Sequence, residues 1–126
     1  MPAMQQSVYR RLRNKVKRND KEGASLMVKH VILWKLKEEL TATEKEAVKK
    51  GIKEGLEGLA GKIPGLVEVK VNINGLPTST VDVMLDTTFT DADALKAYST
   101  NPLHVAVADG KVRPYTAVRS CLDYEV

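Results

Sequence analysis

The sequence predicts one α+β domain built from a single antiparallel sheet with helices on one face. Four segments alternate apolar and polar residues, which is the period of two of a β-strand. Between them lie segments with helical apolar spacing or helix-capping residues. The chain has 126 residues, of which 43% are hydrophobic, so it is long enough to bury one core.

The first 26 residues form a basic extension, and the predicted domain spans residues 27–126. Residues 1–25 carry a formal charge of +5, whereas the rest of the chain carries −1. Val8, Leu12 and Val16 recur at helical spacing among the basic residues, as in a helix that binds a membrane surface or RNA. A solvated tail is the other interpretation and the one we favour, so nucleic acid is not an expected partner.

Residues 27–37 form the first predicted strand, because β-branched and aromatic residues are frequent in them. Every second side chain of a strand points to the same face. One face therefore carries four neighbouring side chains: His30, Ile32, Trp34 and Leu36.

A helix is predicted after this strand. Thr43 and Glu46 have the spacing of a capping box at its beginning. The apolar residues that follow recur every three or four positions, as on the buried side of a helix: Val48, Ile52, Leu56, Leu59 and Ile63. Gly61 and Pro64 then end the helix.

Two strands follow and form a predicted hairpin. Apolar and polar residues alternate over residues 67–73 and again over residues 81–86. The segment between them, residues 74–79, contains Asn, Gly, Pro and Ser, which are typical of turns.

Two short helices and a final strand complete the predicted domain. Thr90 is the expected N-cap of the first helix. Asn101 and Pro102 begin the second, because Asn is a favoured cap and Pro suits the first helical position. Pro114 limits this helix, and residues 119–126 form the last strand. The resulting order is the split βαβ, or ferredoxin-like, arrangement.

The face of the sheet that no helix covers also contains apolar side chains, among them Val31 and Leu33. Apolar surface of this kind is typical of an interface between subunits. We therefore expect a homodimer that forms through this face of the sheet.

The cysteine count and the apolar pattern exclude several classes of protein. Cys121 is the only cysteine, so an internal disulfide is impossible, and no Cys/His cluster in the sequence predicts a metal or a cofactor. We interpret Cys121 as a small apolar residue in a strand rather than a nucleophile. With no apolar run of membrane-spanning length and no secretory signal, we expect a cytoplasmic protein.

The candidate site contains His30, Tyr98 and His104, with Trp34 as a further candidate for substrate binding. His30 lies among apolar residues, so it either lines a pocket or is a core histidine that a neighbour satisfies. Trp34 similarly either lines the pocket or belongs to the core.

Tyr98 and His104 are the candidate catalytic pair. They flank an Asn-Pro turn that can fold the tyrosine hydroxyl back beside the imidazole. His104 falls at the third helical position, where the helix dipole disfavours the imidazolium form, so a neutral ring is available as a general base. A Tyr–His hydrogen bond that stiffens the helix junction is the alternative interpretation.

Three motifs resemble those of the stress-responsive A/B-barrel (Dabb) family. They are the opening strand Met27–Lys37, the helix junction Tyr98-x-x-x-Pro102-x-His104, and the closing strand with Leu122-Asp-Tyr124. The resemblance covers residues 27–126. It implies a ferredoxin-like protomer that pairs with a second copy to form a dimeric α/β barrel.

The resemblance implies three possible functions. A plant cyclase of the family closes a linear polyketide by aldol condensation with a Tyr–His pair. Tyr98 and His104 match that pair by motif position, and His30 matches a histidine of the first strand, although Asn101 replaces the usual His before Pro. A non-catalytic stress-responsive dimer and a small dimeric-barrel monooxygenase are the alternatives. Whether the chain is an enzyme stays open at this stage.

Overall fold

The computed structural model describes residues 26–126. The helix predicted in the basic extension, and its predicted binding to a membrane surface or RNA, lie outside the described residues. The strands are β1 (Val28–Leu36), β2 (Leu66–Asn72), β3 (Val83–Phe89) and β4 (Thr116–Glu125). The helices are α1 (Ala42–Glu57), α2 (Ala92–Thr100) and α3 (Pro102–Val107). A π-helical turn (Ala108–Val112) and a 3-10 turn (Arg113–Tyr115) connect α3 to β4.

The four strands form one antiparallel sheet in the order β2-β3-β1-β4. This order confirms the predicted ferredoxin-like fold and the hairpin of β2 with β3. In the centre of the sheet, β1 aligns His30 with Thr87 of β3 and with Asp123 of β4. Residues of β1 and β4 that are more than ninety positions apart in the chain therefore become neighbours.

The helices cover one face of the sheet and bury its apolar side chains. His30, Ile32, Trp34 and Leu36 are all buried, as the alternation in β1 predicts. In the core, apolar side chains of β1, β2 and β3 pack against the apolar side of α1 and the buried end of α2. Its further members include Ile52, Leu56, Val71, Leu85, Phe89 and Tyr98.

The opposite face of the sheet is not covered by helices and has an apolar edge. Val118, Leu122 and Tyr124 of β4 are exposed on it. Val31 and Leu33 of β1 pair with this part of β4 and are partly buried. The side chains of β4 thus alternate between the helix-covered face and the open face.

Two predicted helix caps are wrong by one or two residues. The capping box at the start of α1 pairs Thr41 with Glu44, not Thr43 with Glu46, because Thr41 has the extended backbone that a cap requires. The N-cap of helix α2 is Asp91 rather than Thr90. Strand β3 continues to Phe89, and the Thr90 amide donates to the Gly65 carbonyl. The Asn101 cap is confirmed.

No helix within residues 26–126 has both the length and the apolar character needed to cross a membrane.

Candidate functional site

A cavity of about 180 Å³ lies between the sheet and the helices α2 and α3. The three polar candidates from the sequence, His30, Tyr98 and His104, all line it, and so does Trp34. Trp34 is also buried in the core cluster. It therefore both lines the cavity and belongs to the core, the two positions considered from the sequence. Its role in substrate binding remains a prediction.

The junction between α2 and α3 holds Tyr98 and His104 together. Tyr98 lies in the last turn of α2, and the Asn101 side chain caps α3 by accepting a hydrogen bond from the Leu103 amide at 2.9 Å. His104 is therefore the third residue of α3. The centroids of the Tyr98 and His104 rings are 4.1 Å apart, with 34° between the ring planes.

Both polar atoms of this pair that face the interior are unsatisfied. The Tyr98 hydroxyl and His104 Nδ1 are buried, and neither has a hydrogen-bond partner among the described residues. Tyr98 is only 1% exposed. The Tyr–His hydrogen bond of the alternative interpretation is therefore not made between these two atoms, and both lack the partner that buried polar groups usually have.

Burial sets the protonation states of the pair. It raises the pKa of Tyr98 to about 12, so the hydroxyl keeps its proton near neutral pH. It also lowers the pKa of His104; the Ser99 backbone opposes this effect in part, and the charge of Arg113 adds to it. The imidazole is thus neutral near pH 7, as the sequence predicts, although burial rather than the helix dipole is the main cause.

His30 is held on the sheet beside this pair. Its Nδ1 lies 2.5 Å from Oδ1 of Asp123 on β4, and its backbone carbonyl accepts a hydrogen bond from the Thr87 hydroxyl. The His30 and Tyr98 rings make an edge contact with centroids 6.2 Å apart. His30 is therefore a buried histidine that has a hydrogen-bond partner, and it also lines the cavity.

Sequence reasoning missed four residues of the site. Arg113 and Arg119 line the cavity and give it positive charge. Asp123 partners His30, and Cys121 Sγ lies 3.7 Å from His30 Nδ1. Cys121 lies in a strand, as predicted, but it is exposed and therefore does not fill space in the core as a small apolar residue. The alternation in β4 places Arg119, Cys121 and Asp123 on one face, but only the register with β1 shows which neighbours they meet.

Together, the fold and the site define a ferredoxin-like α+β domain with a small cavity under its helices, lined by both apolar and polar residues. A sequence model of the Stress responsive A/B Barrel Domain family matches residues 28–126. The chain belongs to this family, known as Dabb. A search of the curated proteins gives no match.

Solved structures have the same fold. A dimeric ferredoxin-like protein of unknown function from Bacteroides fragilis is 35% identical, with a TM-score of 0.75 over 79% of this chain and 96% of its own. A Dabb protein from Mesorhizobium loti is 18% identical, with a TM-score of 0.63 over 81% and 98%. A hydroxynitrile lyase from Passiflora edulis is 15% identical, with a TM-score of 0.62 over 80% and 94%.

Proposed function

We propose that this protein is an acid–base enzyme that acts on a small carbonyl compound, with aldol or cyclisation chemistry as the reaction class. One observation carries the proposal: Tyr98 and His104 line the same cavity, and each has a buried polar atom without a hydrogen-bond partner among the described residues. A buried polar atom without a partner costs about 1–3 kcal/mol. A bound ligand that supplies the missing hydrogen bonds would recover this free energy.

The protonation states of the pair suit proton transfer next to a carbonyl group. The neutral His104 imidazole removes a proton from the carbon beside the carbonyl. The protonated Tyr98 hydroxyl donates a hydrogen bond to the enolate oxygen that forms. The enolate carbon then attacks a second carbonyl of the same molecule, and the imidazolium returns its proton to the resulting alkoxide.

The size and lining of the cavity support one class of substrate. A protein cavity of about 150 Å³ accommodates benzene, so the 180 Å³ cavity fits a molecule that closes to a single ring. Arg119 lines the same space, as does Arg113, whose guanidinium pairs with Asp109. Guanidinium groups pair well with carboxylates, so a substrate with an acidic group is favoured.

The functional unit is a homodimer in this proposal. Val118, Leu122 and Tyr124 form an exposed apolar edge on the sheet face opposite the cavity, and the similar protein from Bacteroides fragilis is described as dimeric. Pairing through this face would bury the apolar edge and leave the cavity of each protomer intact.

Solvent-deuterium exchange of a linear 2,6-diketo carboxylic acid, whose C7 enolate can attack the C2 carbonyl to close a six-membered ring, tests the acid–base function when followed by NMR. The wild-type protein should accelerate exchange and release a cyclised product. His104→Gln should abolish the acceleration, and Tyr98→Phe should reduce it by 10²-fold or more, which is about the contribution of one oxyanion donor. Tyr115→Phe, at a tyrosine that does not line this cavity, is the matched control and should behave as wild type.

Equal rates for the wild-type protein, the two site variants and the buffer would overturn the enzymatic proposal for this substrate class. That result, together with a change only in stability, would favour the non-catalytic stress-responsive dimer.

A further inference from the structure

We propose that His30, Cys121 and Asp123 form a zinc site at the edge of the cavity, with imidazole Nδ1, thiolate and carboxylate as the protein ligands. This site does not depend on the proposed acid–base function. Its three ligand atoms lie within 4.8 Å of one another. Neighbouring strands supply them, because β1 places His30 opposite Asp123 and Ile32 opposite Cys121.

The distances between the ligand atoms approach those of a tetrahedral zinc ion. With usual Zn–N, Zn–S and Zn–O bond lengths, tetrahedral angles give about 3.6 Å for N···S and for S···O and about 3.4 Å for N···O. The structure has 3.7 Å between Nδ1 and Sγ, 3.4 Å between Sγ and Oδ1, and 2.5 Å between Nδ1 and Oδ1. Only the His30–Asp123 pair has to separate, by about 0.9 Å.

The local arrangement permits this separation. The Asp123 side chain is 45% exposed and lies on an edge strand, so it can rotate away from His30 without disturbing the core. Both Asp123 and Cys121 are reachable from solvent, which gives the ion an entry path. His30 is buried and fixed by its strand, so the site combines one rigid ligand with two adjustable ones.

The three ligand atoms lie around one point and do not have the arrangement of a catalytic triad. The Cys121 sulfur and an Asp123 oxygen both approach the same nitrogen of His30. In a nucleophilic triad the histidine would use one ring nitrogen for the thiol and the other for the carboxylate. Convergence on a single nitrogen instead suits a cation that replaces the protons shared among the three groups.

The chemistry of the ligands selects the metal. A thiolate with an imidazole and a carboxylate suits zinc and disfavours magnesium and calcium, which prefer oxygen ligands only. Thiolate and carboxylate balance the charge of a divalent ion, and the thiol proton is released to solvent on binding. Three protein ligands leave the fourth tetrahedral position to a water molecule. Arg119 lies beside Cys121 on the same face of β4, and its charge opposes binding.

Cobalt titration of the reduced full-length chain tests the site. Because Cys121 is the only cysteine, a thiolate-to-cobalt charge-transfer band can arise only from this residue. We expect one Co²⁺ per chain, visible bands of tetrahedral geometry, and displacement by Zn²⁺. Cys121→Ser should abolish the charge-transfer band, and Asp123→Asn should weaken Zn²⁺ binding at least tenfold.

Two further variants separate the site from general surface binding. Ser120→Ala changes the neighbouring position, which points to the opposite face of β4, and should bind Zn²⁺ as wild type does. Arg119→Ala should increase the affinity, because it removes the opposing charge. A missing charge-transfer band, an unchanged band in Cys121→Ser, or a ratio of one ion to two chains would overturn the proposal.

Discussion

The rings of Tyr98 and His104 lie with their centroids 4.1 Å apart, yet the Tyr98 hydroxyl and His104 Nδ1 are both buried without a hydrogen-bond partner. Contact between the rings fixes the geometry, while the polar atoms stay available. A pair that served only to join α2 to α3 would be expected to satisfy itself. The stability of the fold is therefore reduced at the place where a ligand could restore it.

The unsatisfied hydroxyl predicts an unusual response of stability to mutation. Tyr98→Phe keeps the ring and removes the buried hydroxyl, so the free energy of unfolding should stay equal or rise by about 1 kcal/mol. Urea denaturation of the ligand-free protein measures this change, with Tyr115→Phe, at a tyrosine that does not line the cavity, as the control. A loss of more than 1 kcal/mol would show that the hydroxyl makes a stabilising hydrogen bond.

The lowered pKa of His104 predicts a pH dependence of stability. The unfolded chain binds a proton at this residue near pH 6.5, whereas the folded protein does so only at lower pH. Stability should therefore be fully present above pH 6.5 and fall as the pH drops below that value toward the lowered pKa.

NMR titration of the two histidine rings measures the same effect directly. With only two histidines in the chain, His104→Gln assigns both signals. The variant should also lose part of the acid-induced destabilisation. A His104 signal that titrates above pH 6.5 would contradict the prediction.

Two leucines of similar exposure test the dimer interface. Leu122 is 64% exposed on the open face of the sheet, and Leu76 is 74% exposed in the connection between β2 and β3. Leu122→Asp should convert the dimer to a monomer, because an interface disfavours an unpaired buried charge. Leu76→Asp should leave the dimer intact. Sedimentation equilibrium distinguishes these outcomes, and a dimeric Leu122→Asp protein would refute the assignment of this face.

Two glycines in α1 test how closely α3 approaches it. A methyl group at Gly51 meets nothing within 4 Å, whereas one at Gly55 would lie 2.9 Å from a methyl of Val107. Gly51→Ala should stabilise the protein by about 1 kcal/mol through helix propensity. In Gly55→Ala the clash should cancel or reverse that gain. Equal stabilisation of both variants in urea denaturation would show that the helices can separate without cost.

The true helix cap can be distinguished from the predicted one by a second pair of variants. Thr41→Ala removes the side chain that accepts from the Glu44 amide and should cost about 1 kcal/mol. Thr43→Ala should be neutral or slightly stabilising, because Thr43 lies inside the first turn. Thermal and urea denaturation measure both, and the opposite order of effects would restore the cap predicted from the sequence.

The sequence predicted the strands and their faces well, because alternation is a local signal. It did not distinguish Thr41–Glu44 from Thr43–Glu46, since both pairs have the capping-box spacing and only the backbone selects between them. In the site, the two histidines and Tyr98 stood out by residue type. The partnership of His30 with Asp123 joins residues 93 positions apart and depends on the pairing of β1 with β4, which no local pattern encodes.

Strand β4 places a carboxylate and a thiol on one side and leucine and tyrosine on the other, residue by residue. A deletion of one residue just before Thr116 that shifted the register of β4 against β1 by one residue would turn every side chain of β4 to the other face. Leu122 would then point to the helix-covered face, and Asp123 would point to the open face. The length of the π-helical and 3-10 connection therefore decides which side chains of β4 meet the helices and which meet the open face.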